Sequence, residues 1–302
     1  MKKEIRFVVI GCGRIGKRHI EMIGAIEGAT LIATCDLKNL RELGISDHYD
    51  HYTDSKSLFN EVKDIDVVAI ATPNGLHAEH ALQCIKYGAH PIIEKPMSLR
   101  SVDAEKVLHE ALQKGRYVFG VMQNRYSPPS KWLKEIISSE KLGEIYMVHV
   151  DCFWNRDDRY YKSGDWHGSK NLDGGTLFTQ FSHFIDILYW VFGDVYPTHV
   201  DVHNFNHKES IDFEDSGMVH FNLASGGKGS LNYSTSVWGS NLESSLTVIG
   251  ENGSIKIAGQ YMNEVMHCNI KNYTMPKLEA SNPPNNYGEY KGSAANHIYV
   301  YE

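Results

Sequence analysis

Ile5-Arg6-Phe7-Val8-Val9-Ile10-Gly11-Cys12-Gly13-Arg14-Ile15-Gly16 decides the fold. The first six residues form an apolar run of strand length. The amphipathic run Ile15–Glu27 that follows has helical spacing. Between them lies Gly-x-Gly-x-x-Gly, placed as a phosphate-cradling turn requires: after a strand and at the start of a helix. Gly11 permits the tight turn, Gly13 leaves the backbone open to a pyrophosphate, and Gly16 lets the helix pack close on the strand. The helix N-terminus, at Arg14 and Ile15, offers main-chain N–H groups and a partial positive charge to the phosphates. Asp36 closes the second strand, twenty residues past Gly16. Its carboxylate suits the adenosine ribose hydroxyls and repels a 2′-phosphate, so NAD is expected over NADP. Lys38 works against that preference, because it offers a charge to such a phosphate. Two alternatives stay open: a glycine turn in an unrelated α/β protein, and an Asp36 that caps a helix over LKNLREL.

Outward from this turn, the first 121 residues alternate strands and helices. Strands are expected at Ile5–Ile10, Thr30–Cys35, Asp66–Ala71, Pro91–Ile93 and Tyr117–Phe119, and helices at Ile15–Glu27, Leu76–Tyr87 and Ser101–Gln113. Continuous apolar strands with helices between them imply a parallel sheet covered on both faces, an α/β Rossmann domain over residues 1–121. Residues 122–302 read differently. Tyr126-Ser127-Pro128-Pro129-Ser130 is expected to break the chain before a helix at Lys131–Ser138. Strands follow at Ile145–Trp154, Thr198–Phe205, Gly217–Leu223, Gly229–Ser236, Ser244–Gly250 and Ser254–Ile257, with one apolar helix at Thr176–Phe192. Strands joined by short turns predict an α+β C-terminal domain with a large, mostly antiparallel open sheet. Ser293–Glu302 begins like a helix and lacks a C-cap, so the chain is expected to stop short of its natural C-terminus.

Composition sets the outer limits. At 302 residues, 42% apolar and 22% charged, the chain is a two-domain globular protein by arithmetic. A net charge of −7 argues against a nucleic-acid partner. No apolar run approaches the ~18 residues of a membrane span. The basic-then-apolar start imitates a signal peptide but runs into the glycine turn. Five scattered cysteines, Cys12, Cys35, Cys84, Cys152 and Cys268, read as reduced thiols of a cytoplasmic protein. Sixteen histidines include no zinc-site spacing, so no metal is expected.

Two further stretches carry chemistry. Thr72-Pro73-Asn74 and Glu94-Lys95-Pro96 sit at the carboxyl ends of parallel strands, where open α/β sheets bind ligands. Read alone, Lys95 is equally a surface charge. Together with GCGRIG, TPNGLH and GGTLFTQFSHFID they resemble the Gfo/Idh/MocA family of NAD(P)-dependent oxidoreductases over nearly the whole chain. MQNRYSPP (Met122–Pro129) and NRDDRYYKSGDWHG (Asn155–Gly168) resemble the branch that oxidises UDP-N-acetylglucosaminuronic acid at C3 in surface-polysaccharide (lipopolysaccharide) synthesis. The resemblance implies an active site between the domains, with Lys95 as active-site lysine and His183 as general base. It places the cofactor on Gly11, Gly13, Arg14, Ile15, Gly16, Asp36, Thr72, Pro73, Asn74, His77 and Glu94. It also implies a homodimer or homotetramer joined through the second sheet.

The substrate side is expected to draw on Lys95, Gln123, Arg125, Tyr126, Arg159, Tyr160, Trp166, Thr179 and Gln180. An arginine fork suits a carboxylate or diphosphate, and aromatics suit a uracil ring. The alternatives are an interdomain salt bridge for Arg125, a subunit interface for the Asn155–Asp173 loop, and a satisfied core histidine for His183. Many members of the family it resembles carry Asp, or in the sugar-nucleotide branch Asn, where Thr179 stands. Four residues before His183 on one helix, Thr179 would still reach the imidazole but bring no charge. Asp186, three residues past His183, could orient it or pair elsewhere. Gly174-Gly175 would let backbone approach a ligand. Two rivals remain: a dehydrogenase of another sugar or inositol, and a non-catalytic dinucleotide-binding regulator.

Overall fold

The computed structural model describes residues 4–162, 166–259, 262–279 and 296–301. The chain divides into two compact units. The first runs to Val121 and adds Asn171–Gly174 and the segment from His297; the second holds Met122–Lys170 and Gly175–Asn296.

In the first unit the order is β1 (Ile5–Ile10), α1 (Arg14–Ala25), β2 (Ala29–Cys35), α2 (Leu40–Leu43), β3 (Asp50–Tyr52), α3 (Ser55–Glu61), β4 (Val67–Ile70), α4 (His77–Lys86), β5 (His90–Ile93), α5 (Ser101–Gln113) and β6 (Phe119–Gly120). The strands pair in the order β3-β2-β1-β4-β5-β6, and every pair is parallel. This is the doubly wound arrangement whose ligand crevice lies at the strand carboxyl ends, where the order reverses between β1 and β4. β1 shows why its sequence is continuously apolar. Val8 and Ile10 face a core shared with α4 and α5, through Ala81, Ile85, Val107 and Ala111. Phe7 and Val9 face the opposite core, with Ile23 of α1, Leu43 and Val121. β3 and α3 escape the sequence reading because β3 is three residues long and lies at the sheet edge. The strand expected at Tyr117–Phe119 is paired only at Phe119–Gly120.

The second unit contains α6 (Pro128–Ser138), β7 (Ile145–Phe153), α7 (Asp158–Tyr161), α8 (Thr176–Thr179), α9 (Ser182–Phe192), β8 (Val195–His203), β9 (Ser216–Leu223), β10 (Lys228–Ser234), β11 (Glu243–Gly250), β12 (Gly253–Ala258) and β13 (Glu264–Ile270). Its seven strands pair in the order β13-β12-β11-β7-β10-β9-β8, antiparallel except β10 with β7. One face is buried under α6 and α9, where Leu133, Ile136, Phe184 and Ile187 pack on Val148, Leu231, Leu246 and Ile257. The other carries exposed apolar side chains, among them Met147, Met218 and Ile249.

Three expectations for this unit need correction. Pro128 and Pro129 do not break the chain. They occupy the first turn of α6, where a missing N–H costs nothing. The strand expected at Thr198–Phe205 ends at His203 because the Asp215 carboxylate captures the Phe205 and Asn206 N–H groups. The single helix expected over Thr176–Phe192 is two helices. The Phe181 N–H reaches back five residues to the Thr176 carbonyl (3.2 Å), and this widened turn interrupts the α pattern. Of the expected C-terminal helix, His297–Val300 forms a 3-10 turn, and residues 293–295 lie outside the described residues. No helix among the described residues is long and apolar enough to cross a membrane.

Candidate functional site

On the first unit, the three glycines of the turn have distinct physical reasons. Gly11 has φ +85°, and a Cβ there would lie 2.6 Å from the backbone of Ala71 and Thr72 at the end of β4. A Cβ on Gly16 would lie 1.9 Å from the Gly11 carbonyl oxygen. Both are required by the fold. Gly13 is different: a Cβ there would meet nothing within 4 Å. Its backbone borders open space at the N-terminus of α1, with no side-chain cap. Arg14 and Ile15 open that helix.

Asp36 sits beside this turn. One carboxylate oxygen accepts the Cys12 N–H (2.7 Å) and the other the Lys38 N–H (2.9 Å). The helix-cap alternative for Asp36 is overturned, since Asn39 caps α2 with a full capping box. An ionised carboxylate has about four acceptor positions, so two remain for hydroxyl groups. Burial, with Asp36 adding to it, pushes the Cys12 thiol up to about 12, so this cysteine is a neutral packing residue.

Thr72, Pro73 and Asn74 follow β4, and Glu94 and Lys95 follow β5. His77, at the start of α4, joins the two turns. Its Nδ1 lies 2.7 Å from the Pro96 carbonyl oxygen and its Nε2 2.8 Å from that of Thr72. Burial holds its pKa below the ordinary value, against the pull of these two bonds. Asn74 donates to the Asp173 carbonyl (2.8 Å), and the Gly75 N–H donates to that of Leu172 (2.9 Å). Segment Asn171–Gly174 is thereby fastened to the turn after β4. The Glu94 side chain turns toward His19 of α1, and its Oε2 accepts the Lys95 N–H (3.1 Å).

On the second unit, His183 lies on α9 and is buried. Its Nε2 is 3.2 Å from the Gln123 amide nitrogen. With the amide donating, Nε2 is the basic nitrogen and the proton of a neutral ring sits on Nδ1. Thr179 does not share a helix with His183, because α8 ends at that residue. The shared-face argument from four-residue spacing therefore fails. Asp186 pairs with Arg125, whose Nε and Nη2 reach its two oxygens at 2.7 and 2.5 Å. That bond, with the Asp186 charge, raises the arginine pKa against its burial. Both residues belong to the second unit, so the interdomain alternative for Arg125 is corrected. Lys131 lies over the Tyr126 ring, 5.5 Å from its centroid.

The Asn155–Asp173 loop supplies a second cluster. Gln180 accepts from Arg156 Nε (3.0 Å) and donates to the Tyr160 hydroxyl (2.8 Å). The Arg156 guanidinium lies 4.7 Å from the Trp154 ring centroid and 5.3 Å from that of Tyr160. Trp166 stacks on His167, with centroids 4.0 Å apart. Arg159 turns to Asp157 and Asn155 and is largely exposed. Residues 163–165 of this loop lie outside the described residues. By sequence, Arg156 is one of several basic groups of this loop suited to a diphosphate. Its partners are Gln180, just past α8, and Asn241, far along the chain.

Comparison with known proteins agrees with this architecture. Residues 5–121 match the family model described as "Oxidoreductase family, NAD-binding Rossmann fold". Residues 131–256 match "GFO/IDH/MocA C-terminal domain". The chain belongs to the Gfo/Idh/MocA family of oxidoreductases. Within that family it is similar to the WlbA dehydrogenase from Bordetella pertussis, solved in complex with NADH and UDP-GlcNAcA. The TM-score is 0.84, with 31% identity over 89% of this chain and 83% of that one. It is 26% identical to an inositol 2-dehydrogenase from Salmonella typhimurium, over 63% of this chain and 55% of the relative. It is also 26% identical to the D-glucoside 3-dehydrogenase of Escherichia coli, over 67% of this chain and 58% of the relative. The chain thus spans little more than half the length of these curated relatives. The first unit is the NAD-binding Rossmann domain of the family, and its residues fit that cofactor. Among the described residues, nothing fills the space beside Gly13, α1 begins there with no side-chain cap from Gly13, and Asp36 retains acceptor capacity.

Proposed function

We propose that this Gfo/Idh/MocA protein is an NAD-dependent dehydrogenase that oxidises a sugar hydroxyl. The substrate we assign is a UDP-linked 2-acetamido-2-deoxyglucuronic acid, oxidised at C3 for surface-polysaccharide synthesis. One observation carries the sugar-nucleotide assignment: the likeness, over 89% of this chain, to a dehydrogenase solved with NADH and UDP-GlcNAcA. NAD, when bound, supplies the two-electron acceptor. The chain's own residues manage the proton. Lys95 follows a Rossmann strand and orients the reacting hydroxyl. His183 takes the hydroxyl proton at Nε2, the nitrogen that Gln123 now contacts. Gln123 must yield that lone pair when the hydroxyl arrives, and its amide is then available to the sugar. Arg156, Gln180 and Tyr160 present a cation, an amide and an aromatic face, which suit the polar and planar parts of a nucleotide. Further assignments within this proposal are a cytoplasmic location and a homodimer or homotetramer. The exposed apolar side chains on the second sheet support the oligomer, and sedimentation equilibrium tests it.

The test is single-turnover NADH absorbance with a panel of free sugars, inositols and UDP-sugars. Turnover of the UDP-linked uronic acid is expected. Lys95→Ala and His183→Asn should each lower it at least tenfold while NAD still binds. Turnover of a free sugar or inositol with no UDP-sugar activity would favour the second reading, which the inositol and glucoside relatives support. NAD binding without turnover of any panel member would point to a regulatory protein. Full turnover in both variants would remove these residues from the mechanism.

A further inference from the structure

Behind Lys95 lies a buried group of side chains for which the proposed reaction has no use. His19 of α1 is fully buried, and Glu94 and His297 nearly so. His19 Nε2 is 3.0 Å from Glu94 Oε1, and His297 Nε2 is 3.4 Å from the same oxygen. The Tyr301 hydroxyl bonds to His19 Nδ1, across 282 positions of sequence. The other Glu94 oxygen accepts the main-chain N–H of Lys95.

Donor and acceptor rules give this chain a direction. An ionised carboxylate only accepts, so His19 Nε2 carries its proton. A neutral imidazole then has an acceptor at Nδ1, and the Tyr301 O–H is the donor that fits it. The order is Tyr301 O–H to His19 Nδ1, His19 Nε2–H to Glu94 Oε1, and Lys95 N–H to Glu94 Oε2. Burial alone would raise the Glu94 pKa. Hydrogen bonding from His19 and the nearness of the His297 ring hold it well below the ordinary value, so the acceptor stays ionised. Burial and the Glu94 charge push the Tyr301 hydroxyl well up, which keeps it a donor. The far end of the chain is anchored by packing. Val300 and Tyr301 join the core formed by Phe7, Val9 and Ile23, and the Tyr301 ring lies 5.9 Å from that of Phe7.

We propose that His297–Tyr301 is a positioning strap for Lys95. Acting through His19, it fixes the Glu94 carboxylate, which in turn fixes the lysine main chain. Glu94 is then a positioning residue, and its place beside Lys95 is completed by residues from the other end of the chain. The catalytic consequence rests on Lys95 being the active-site lysine; the structural coupling does not.

The test uses the full-length protein and the variants Tyr301→Phe and Glu94→Gln, each nearly isosteric. Amide hydrogen exchange is followed on the peptide containing Lys95, together with thermal melting, NAD affinity and turnover. Removing the charged acceptor should speed exchange of the Lys95 amide roughly tenfold. Loss of the Tyr301 donor should speed it several-fold, because His19 loses one of the two bonds that hold its ring against Glu94. In both, kcat should fall; in Tyr301→Phe, KM for NAD should stay nearly unchanged, and His297→Gln should behave likewise but more weakly. If exchange at Lys95 is the same in all variants, the strap is overturned whatever happens to turnover. If exchange rises as expected but Lys95→Ala keeps full activity, the coupling stands and the catalytic reading of Lys95 falls.

Discussion

Gly13→Ala should separate cofactor binding from folding. Gly13 has φ −67° and ψ −156°, an extended conformation open to any residue, and an added Cβ meets no atom within 4 Å. Two small effects act on stability. Alanine is a poorer N-cap than glycine by under about 1 kcal/mol. It also restricts the unfolded chain, a gain of about 0.4–1 kcal/mol. They nearly cancel, so the melting temperature should stay within about 2 °C. Binding behaves otherwise. The methyl group projects into the space reserved for the pyrophosphate and pushes it off the N–H groups of α1. A hydrogen bond to a charged group contributes about 1.5–3 kcal/mol. Loss of one raises the Kd for NADH about 10- to 100-fold. Gly16→Ala is the control with the opposite profile. Its Cβ would lie 1.9 Å from the Gly11 carbonyl oxygen, an overlap that must move backbone. A cost of about 1–3 kcal/mol is expected, or a fall of about 2–10 °C in melting temperature. NADH fluorescence titration and thermal melting of the same samples read both quantities. A Gly13→Ala protein that binds NADH with unchanged Kd would refute the placement of the phosphates on this turn.

Asp36→Ser should weaken NAD binding and improve the relative use of NADP, read as the ratio of kcat/KM for the two cofactors; an unchanged ratio removes Asp36 from ribose recognition. Asp186→Asn leaves Arg125 without its bidentate partner, and the arginine side chain is only 35% exposed. The expected loss, about 1–3 kcal/mol in urea unfolding, is below that of a fully buried pair because solvent screens the guanidinium. Acid should destabilise the first unit through Glu94. Its folded pKa lies below the ordinary 4.5, so its stabilisation is present above that pH and is lost as pH falls. Glu94→Gln should therefore be less stable than the parent at pH 7 and lose less stability below about pH 4.5. Denaturant midpoints across pH would show it, and parallel curves for the two proteins would contradict it.

The local sequence determined most of the first unit. Val8 and Ile10 alternate with Phe7 and Val9 because β1 has a core on each side, and such a strand leaves an apolar run that can be read directly. The glycine spacing, Asp36 at the end of β2 and Lys95 after β5 were legible because short-range geometry and chain order set them. The apolar alternation of the second half likewise gave the open antiparallel sheet. Tertiary structure decided what depends on distant partners. The apolar spacing of Thr176–Phe192 is that of one helix, yet Gln180 bonds to Arg156 and Tyr160 and the α pattern is interrupted there, between Thr179 and His183. Arg125 and Asp186 meet across 61 positions, and Tyr301 and His19 across 282. Periodicity records which face of an element is buried, but the partner a buried polar group finds there is set by the path of the whole chain.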